Sequence, residues 1–180
     1  MATQIFFSEK QRFRQIWLWV VLLSLDAFSF YAFYNQVINR HQFGNRPMSN
    51  NDLLFALVLL VVLTLLFFVL RLDTEINSDG IYVRFYPFQQ TFKKYTWNEM
   101  QAAFVRQYNP IGDYGGRGIR FGFLGKGRAY NISGNKGIQI IFNDNRKLLI
   151  GTLKPEEASE ALKKAGHPGT SNPSRARYSS

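Results

Sequence analysis

The chain has 180 residues, and its 22 Lys and Arg against 12 Asp and Glu give a formal net charge of +10. This length fits one soluble domain, or a membrane anchor joined to a domain of roughly 100 residues. The absence of cysteine excludes disulfides, thiolate catalysis and Cys-ligated metals. The basic surplus suits membrane lipids or the cytoplasmic bias of membrane proteins, and we favour both over nucleic acid as its explanation.

The first 15 residues form a basic, amphipathic N-terminal flank. Apolar and cationic side chains are interspersed here, and Ser8 and Gln11 have the spacing of a helix-capping box. This pattern predicts an interfacial helix that leads into the membrane. The alternative is the ordinary positive flank of a first transmembrane helix.

Two apolar segments, residues 16–34 and 53–70, follow this flank. Each is close to the roughly 20 residues that a helix needs to cross a hydrocarbon core. A signal peptide is the alternative for the first segment, but no small-residue cleavage site follows it. Trp17 and Trp19 at one end, and Tyr31 and Tyr34 at the other, match the aromatic belts of membrane interfaces.

The segment between the two spans is short and polar, so the sequence predicts a transmembrane helical hairpin. Ser49 and Asp52 have capping-box spacing just before the second span. The basic flank and the 17 basic against 9 acidic residues from position 71 onward place both termini in the cytoplasm. Arg40 and Arg46 in the loop oppose this orientation without reversing it. We therefore expect a multi-pass protein of the cell inner (cytoplasmic) membrane.

Asp26 is the one ionisable residue within the two spans, and it lies near the middle of the first. A carboxylate at that depth costs roughly 2.5 to 3.5 kcal/mol on insertion scales, so it is expected to avoid lipid. Thr64 has a comparable depth in the antiparallel second helix and is a candidate hydrogen-bond partner. A packing contact or subunit-docking point is favoured over a proton or ion relay, because a relay needs several polar groups.

From residue 71 to 165 the pattern changes to short runs of β-branched and aromatic residues, separated by Gly, Asn and Asp. The predicted strands are LDTEIN, IYVRFYPF, TFKKYTW, QAAFVRQY, GIRFGFL, RAYNIS, GIQIIF and KLLIGT. Ser78, Asp79 and Gly80 indicate a tight turn after the first of them. Pro155, with the acids after it, opens a short helix through Lys164. Residues 166–180 form a flexible tail.

The fold class that follows is a membrane α-helical hairpin plus a mainly-β domain. LDTEINSDGIYVRFYPF, YTWNEM and KGIQIIFNDNRKLLIGTLKPEEASEAL resemble the opening hairpin, the middle strands and the closing hairpin and helix of bacterial PH-like (pleckstrin-homology-like) membrane proteins. The resemblance covers residues 72–164. It implies an antiparallel barrel of about seven strands with a C-terminal helix, acting as an interaction module. The first hairpin turn lacks the basic cluster of phosphoinositide-binding members, so the standard inositol-lipid site is not expected.

A glycine-rich, basic segment at residues 109–137 is the most unusual stretch of the chain. Backbone N–H groups beside cations are suited to an anionic headgroup, although the spacing matches no phosphate-binding loop. The alternatives are a set of turns and bulges, which is favoured, or a protein-docking loop. The candidate contact residues are Arg117, Arg120, Lys126, Arg128 and Lys136.

No catalytic constellation is visible in the sequence. His41 and His167 are far apart and have no partners in the sequence, so neither a metal site nor a catalytic triad is indicated. We therefore expect a non-catalytic adaptor without a cofactor, serving as an accessory or assembly subunit of a larger membrane protein complex. The alternatives are a membrane sensor of anionic lipid, or a small transport or proton-coupled subunit that uses Asp26.

Overall fold

A computed structural model describes residues 4–41, 44, 47–121 and 127–166. The chain divides into two compact units, one formed by Phe13–Val69 and the other by Met1–Arg12 together with Leu70–Ser180. Arg46, Lys126, His167 and the rest of the predicted tail beyond Gly166 lie outside the described residues.

The first unit contains two long apolar helices. Helix α1 spans Ile16–Phe33 and continues as a π-helical turn over Tyr34–Ile38, and helix α2 spans Asn50–Val69. Helix α2 begins before the predicted position because Ser49 caps it, with its Oγ accepting from the Asp52 N–H at 3.2 Å. Both helices are long and apolar enough to cross a membrane, and most of their apolar side chains are exposed. This exposure is unlike that of a buried core helix in a soluble protein.

The second unit contains a four-stranded antiparallel sheet in the order β1-β2-β3-β4. Its strands are β1 (Ile5–Arg12), β2 (Arg71–Asn77), β3 (Gly80–Tyr86) and β4 (Lys93–Thr96). The turn between β2 and β3 requires glycine at position 80, because a Cβ there would lie 2.2 Å from the carbonyl oxygen of Tyr95. A 3₁₀ turn over Trp97–Glu99 follows β4.

A five-stranded sheet completes this unit, in the order β5-β8-β9-β7-β6. Its strands are β5 (Met100–Gln107), β6 (Gly118–Phe121), β7 (Arg128–Asn131), β8 (Lys136–Phe142) and β9 (Lys147–Gly151). Strands β7 and β9 are parallel, so the expectation of a wholly antiparallel set is wrong at this pair. The chain passes from β7 to β8, which lies on the far side of β9, and then turns back into β9. Strands β7 and β9 therefore run in the same direction.

Two short helices accompany the second sheet. Helix α3 (Pro110–Tyr114) lies between β5 and β6, and helix α4 (Pro155–Lys164) follows β9. Helix α4 has the predicted Pro at its start, acids in its first turn and lysines in its last turn, as the helix dipole favours. It buries Ala158, Ala161 and Leu162, while both sheets contribute buried aliphatic side chains to the core.

The N-terminal segment is a strand, so the prediction of an interfacial helix there is wrong. Strand β1 pairs with β2 from Arg12↔Arg71 to Ile5↔Asn77. Burial alternates along β1, with Phe7, Glu9 and Gln11 inside. Because two of these three buried side chains are polar, the sequence lacks the apolar alternation that normally identifies a half-buried strand.

The two buried polar side chains of β1 bind the end of β9 and the residues that follow it. The Glu9 carboxylate accepts hydrogen bonds from the Thr152 hydroxyl at 2.6 Å and from the Leu153 N–H at 2.9 Å. The Gln11 side-chain amide donates to the Gly151 carbonyl at 2.6 Å. These contacts join positions more than 100 residues apart, so the first strand closes the domain against its last.

We predict that Glu9→Ala lowers the free energy of unfolding of the β-rich unit by about 1.5 to 3 kcal/mol, the usual worth of hydrogen bonds to a charged group. The reason is that Thr152 and the Leu153 N–H lose their acceptor inside the protein. Urea-dependent pulse proteolysis of the full chain in detergent measures the change. Ser8→Ala, at the adjacent exposed position, is the matched control. Equal losses in the two variants would contradict the assignment.

Candidate functional site

Asp26 and Thr64 meet between the two helices of the first unit. The Thr64 hydroxyl donates to Asp26 Oδ2 at 2.8 Å, the contact suggested by the matching depths of the two residues. Asp26 Oδ1 is buried and has no hydrogen-bond partner among the described residues. Within the described part of the chain, the carboxyl group of Asp26 is therefore one hydrogen bond short.

The four predicted interfacial aromatics differ in their surroundings. Trp17, Tyr31 and Tyr34 are exposed on the helical unit. Trp19 instead packs edge-on against Phe68, and its indole N–H donates to the Phe13 carbonyl at 2.9 Å. Trp19 thus helps to join the start of α1 to the end of α2.

The glycine-rich segment begins with a helix that the sequence analysis missed. The Asn109 side chain accepts from the N–H groups of Ile111 and Gly112, which caps α3. Pro110 occupies the first turn, and Gly115 ends the helix with a φ of +66°. An Asn cap, an early Pro and a final Gly are the standard helix-boundary signals, and they identify this short helix in the sequence.

Those predicted cations of this segment that the structure describes make several separate contacts. Arg117 donates to the Ile132 carbonyl at 3.1 Å, and Arg120 donates to the Arg117 carbonyl at 2.9 Å. Lys136 lies 3.5 Å from a Glu156 carboxylate oxygen. Arg128 lies at the other end of the β6–β7 pair from Arg117. Lys126 lies outside the described residues. The guanidinium groups of Arg117 and Arg120 thus both bind backbone carbonyls of this segment.

The buried side chain of Asn131 binds the backbone of this glycine-rich segment. It is fully buried, accepts from the Gly118 N–H at 2.9 Å and lies within 3.4 Å of the Gly116 carbonyl. Burial also raises the pKa of the neighbouring Tyr108 phenol. Asn131 is the acceptor residue of an Asn-Ile-Ser glycosylation sequon, but its burial gives it a structural role in the folded domain.

The turn between β2 and β3 presents a paired acid. Asp79 Oδ2 accepts from Lys94 Nζ at 2.6 Å and from the Tyr82 hydroxyl at 2.8 Å. The hydrogen bond from Lys94 is the largest cause that lowers the pKa of Asp79, and the same bond raises the pKa of Lys94. The acid at this turn is therefore paired with a neighbouring cation.

Comparisons with known proteins do not assign a family. No protein-family model, curated protein or solved structure matches the chain. Within residues 4–41, 44, 47–121 and 127–166, no group of three His, Asp or Glu side chains is placed to hold a metal ion. What the fold defines is a chain in which two apolar helices of membrane-spanning length are inserted between the first two strands of a two-sheet domain.

Thr64→Val is predicted to destabilise the helix pair by about 0.6 kcal/mol, and by no more than about 1.7, the range for hydrogen bonds between membrane helices. Thr64→Ser retains the hydroxyl and is expected to be near neutral. Steric trapping of the full chain in bicelles measures both variants. If serine is as destabilising as valine, shape rather than the hydrogen bond to Asp26 governs the contact.

Lys94→Met is predicted to raise the pKa of Asp79 toward its ordinary value, because the hydrogen bond that lowers it most is removed. Since the pKa of Asp79 is lower in the folded state, the stabilisation from the pair is present above the unfolded pKa of about 3.9 and is lost as the pH falls through the folded pKa. NMR titration of the Asp79 carboxyl measures the shift. Lys93→Met, which removes a cation from the Tyr95 ring, is the control and should leave Asp79 unchanged.

Proposed function

We propose that this chain is a non-catalytic, membrane-anchored adaptor, an accessory or assembly subunit of a larger membrane protein complex. The observation that carries the proposal is the position of the helical hairpin between two paired strands. An apolar anchor inserted inside a domain holds that domain by two connections. Only residues 13–15 separate β1 from α1, and only Leu70 separates α2 from β2.

The strand pairing supports a double crossing of the membrane. Strands β1 and β2 are neighbours in one sheet, so the chain before α1 and the chain after α2 belong to one side of the bilayer. Two crossings return the chain to its starting side, whereas one crossing would separate the strands. The basic excess on both flanks favours the cytoplasmic side of an inner membrane, with both termini cytoplasmic.

We further propose that the β-rich unit is PH-like. Strands β1 to β5, together with β8 and β9, make seven strands that pair only in antiparallel fashion with one another, and α4 follows them. On this view α3, β6 and β7 form an insertion between β5 and β8. The membrane hairpin then occupies the loop between the first two strands. The opening hairpin expected from the sequence, β2 with β3, becomes the second hairpin of the domain.

Asp26 supplies the proposed contact with a partner subunit. Its carboxyl group accepts a hydrogen bond from Thr64 and has a further oxygen without a donor. A buried polar group in a membrane gains most from a donor on an adjacent helix. The proposed partner is therefore a transmembrane subunit that contributes a hydrogen-bond donor near the middle of the bilayer.

We predict that Asp26→Ala releases the chain from its complex while the chain remains membrane-embedded. The variant and the wild type are expressed at native abundance, extracted in mild detergent, and analysed by native sizing and mass spectrometry of the co-purifying subunits. Ser29→Ala is the matched control, because the Ser29 hydroxyl donates to the Leu25 carbonyl of its own helix at 2.8 Å.

Other outcomes of this experiment favour the alternatives. A wild-type chain that runs alone or as a small homo-oligomer with bound anionic lipid contradicts the adaptor proposal and favours the lipid sensor. In a separate transport assay, an Asp26→Asn variant that assembles normally but loses a transport activity would favour the transport subunit instead.

A further inference from the structure

The loop between β3 and β4, residues 87–92, lies at the end of the first sheet where the chain leaves for the helices and returns from them. The pairing places Arg12 opposite Arg71, and Arg71 opposite Tyr86. Arg12 is the last residue of β1 before α1, and Arg71 is the first residue of β2 after α2. The loop that follows Tyr86 therefore shares its end of the sheet with both connections.

This loop exposes a large apolar side chain. Phe88 is 65% exposed, while its ring stacks on the buried Phe85 with centroids 6.2 Å apart. One exposed Phe is common on protein surfaces. The neighbours of this one distinguish it, because the rings of Tyr86 and Phe92 flank it in the chain and each is covered by an arginine.

A buried acid holds these arginines in place. The Asp73 side chain is only 2% exposed, and its Oδ2 accepts from Arg84 at 2.6 and 3.0 Å and lies 3.3 Å from Arg71 Nε. The Arg84 guanidinium carbon lies 4.4 Å from the centroid of the Phe92 ring, and that of Arg71 lies 4.9 Å from the centroid of Tyr86. The cations are therefore fixed beside the aromatic rings.

The loop itself is also anchored to the domain. Arg84 donates to the Gln90 carbonyl at 3.3 Å, and the Gln89 N–H donates to the Phe85 carbonyl at 2.9 Å. The Gln89 side chain donates to the Tyr130 hydroxyl at 3.2 Å. These bonds run along the loop on both sides of Phe88, so a pre-organised loop presents its exposed ring.

We propose that this loop is a third membrane contact of the protein, in which Phe88 enters the interfacial region of the lipid bilayer and the surrounding cations face anionic headgroups. The strand residues from the level of Lys93 to this end of the sheet include five cations, Lys10, Arg12, Arg71, Arg84 and Lys93, and two acids, Glu9 and Asp73, which leaves a net charge of 5 − 2 = +3. Aromatic rings beside Arg and Lys are typical of the membrane–water interface.

The lipid surface is favoured over a protein partner because of where the loop lies. The inference rests on the proposed spanning of the membrane by α1 and α2. If those helices cross the bilayer, the loop occupies the end of the sheet that is joined to them by the short connections at residues 13–15 and at Leu70. On that proposal, the exposed ring lies at the end of the sheet from which the chain enters the lipid bilayer.

The absence of native cysteine allows a direct test on the full chain. Phe88→Cys is labelled with an environment-sensitive fluorophore and reconstituted in nanodiscs of phosphatidylcholine and phosphatidylglycerol that carry a headgroup-region nitroxide quencher. Ser78→Cys is the matched surface control, since it lies at the opposite end of β2, about 20 Å away at the usual strand rise. Leu59→Cys, exposed in α2, reports on insertion of the helices.

The label at position 88 is expected to be quenched by the lipid nitroxide at least about twofold more than the label at 78, because interfacial side chains lie within ~5–10 Å of the headgroup boundary. Adding Lys93→Glu is expected to reduce quenching at position 88 more in nanodiscs that contain phosphatidylglycerol than in pure phosphatidylcholine.

Two results would overturn the proposal. Equal lipid quenching of the labels at positions 88 and 78 would show that the loop at Phe88 lies in water. Shielding of the label at 88 from both lipid and aqueous quenchers would mean that a second copy of the chain covers the loop. Neither result affects the adaptor proposal, which depends on co-purifying subunits. A lipid with a nitroxide on its acyl chain tests the membrane span itself. If that lipid does not quench the label at position 59, the span is rejected.

Discussion

The pairing of β1 with β2 is the constraint on which the rest of the structure depends. These strands are separated in the chain by both apolar helices, yet they form one antiparallel ladder, with a register shift between Ile5 and Phe7. The first sheet of the domain is therefore complete only when the chain after both helices forms β2 beside β1. Glu9 and Gln11 extend the constraint, because they bind residues 151 to 153 at the far end of the second sheet. The N-terminal segment is therefore an integral strand of the domain as well as the flank of the first helix.

Buried polar side chains set the specific geometry at several positions in the β-rich unit. Glu9 joins the first strand to the last, Asp73 fixes two arginines beside aromatic rings, and Asn131 holds the glycine-rich segment. Each of these groups would be costly to bury without partners, so each favours one arrangement of the surrounding backbone over alternatives. Apolar burial supplies the driving force for folding, and these contacts select the strand register and the loop conformations.

Much of the architecture is predictable from local signals. The helices follow from two long apolar runs, the strands after residue 71 follow from β-branched and aromatic runs with turn residues, and α4 follows from its charges and its Pro. Strand β1 escapes prediction because its inward face carries Glu9 and Gln11, whose partners are distant in sequence. The parallel pairing of β7 with β9 is equally non-local. The contact of Asp26 with Thr64 follows from depth alone, whereas the separation of Arg117 from Arg128 depends on the direction of β6 and β7.

The interrupted domain also has a consequence for biogenesis. Strand β1 is synthesised before both helices and has no ladder partner until β2 has been made, and Glu9 gains Thr152 only after β9 has been made. If both helices cross a membrane, as proposed, failure of one crossing leaves β1 and β2 in different compartments. Each would then expose an unpaired edge, which promotes aggregation and proteolysis. On that proposal, the fold couples survival of the chain to correct insertion, and the domain acts as a checkpoint of membrane topology.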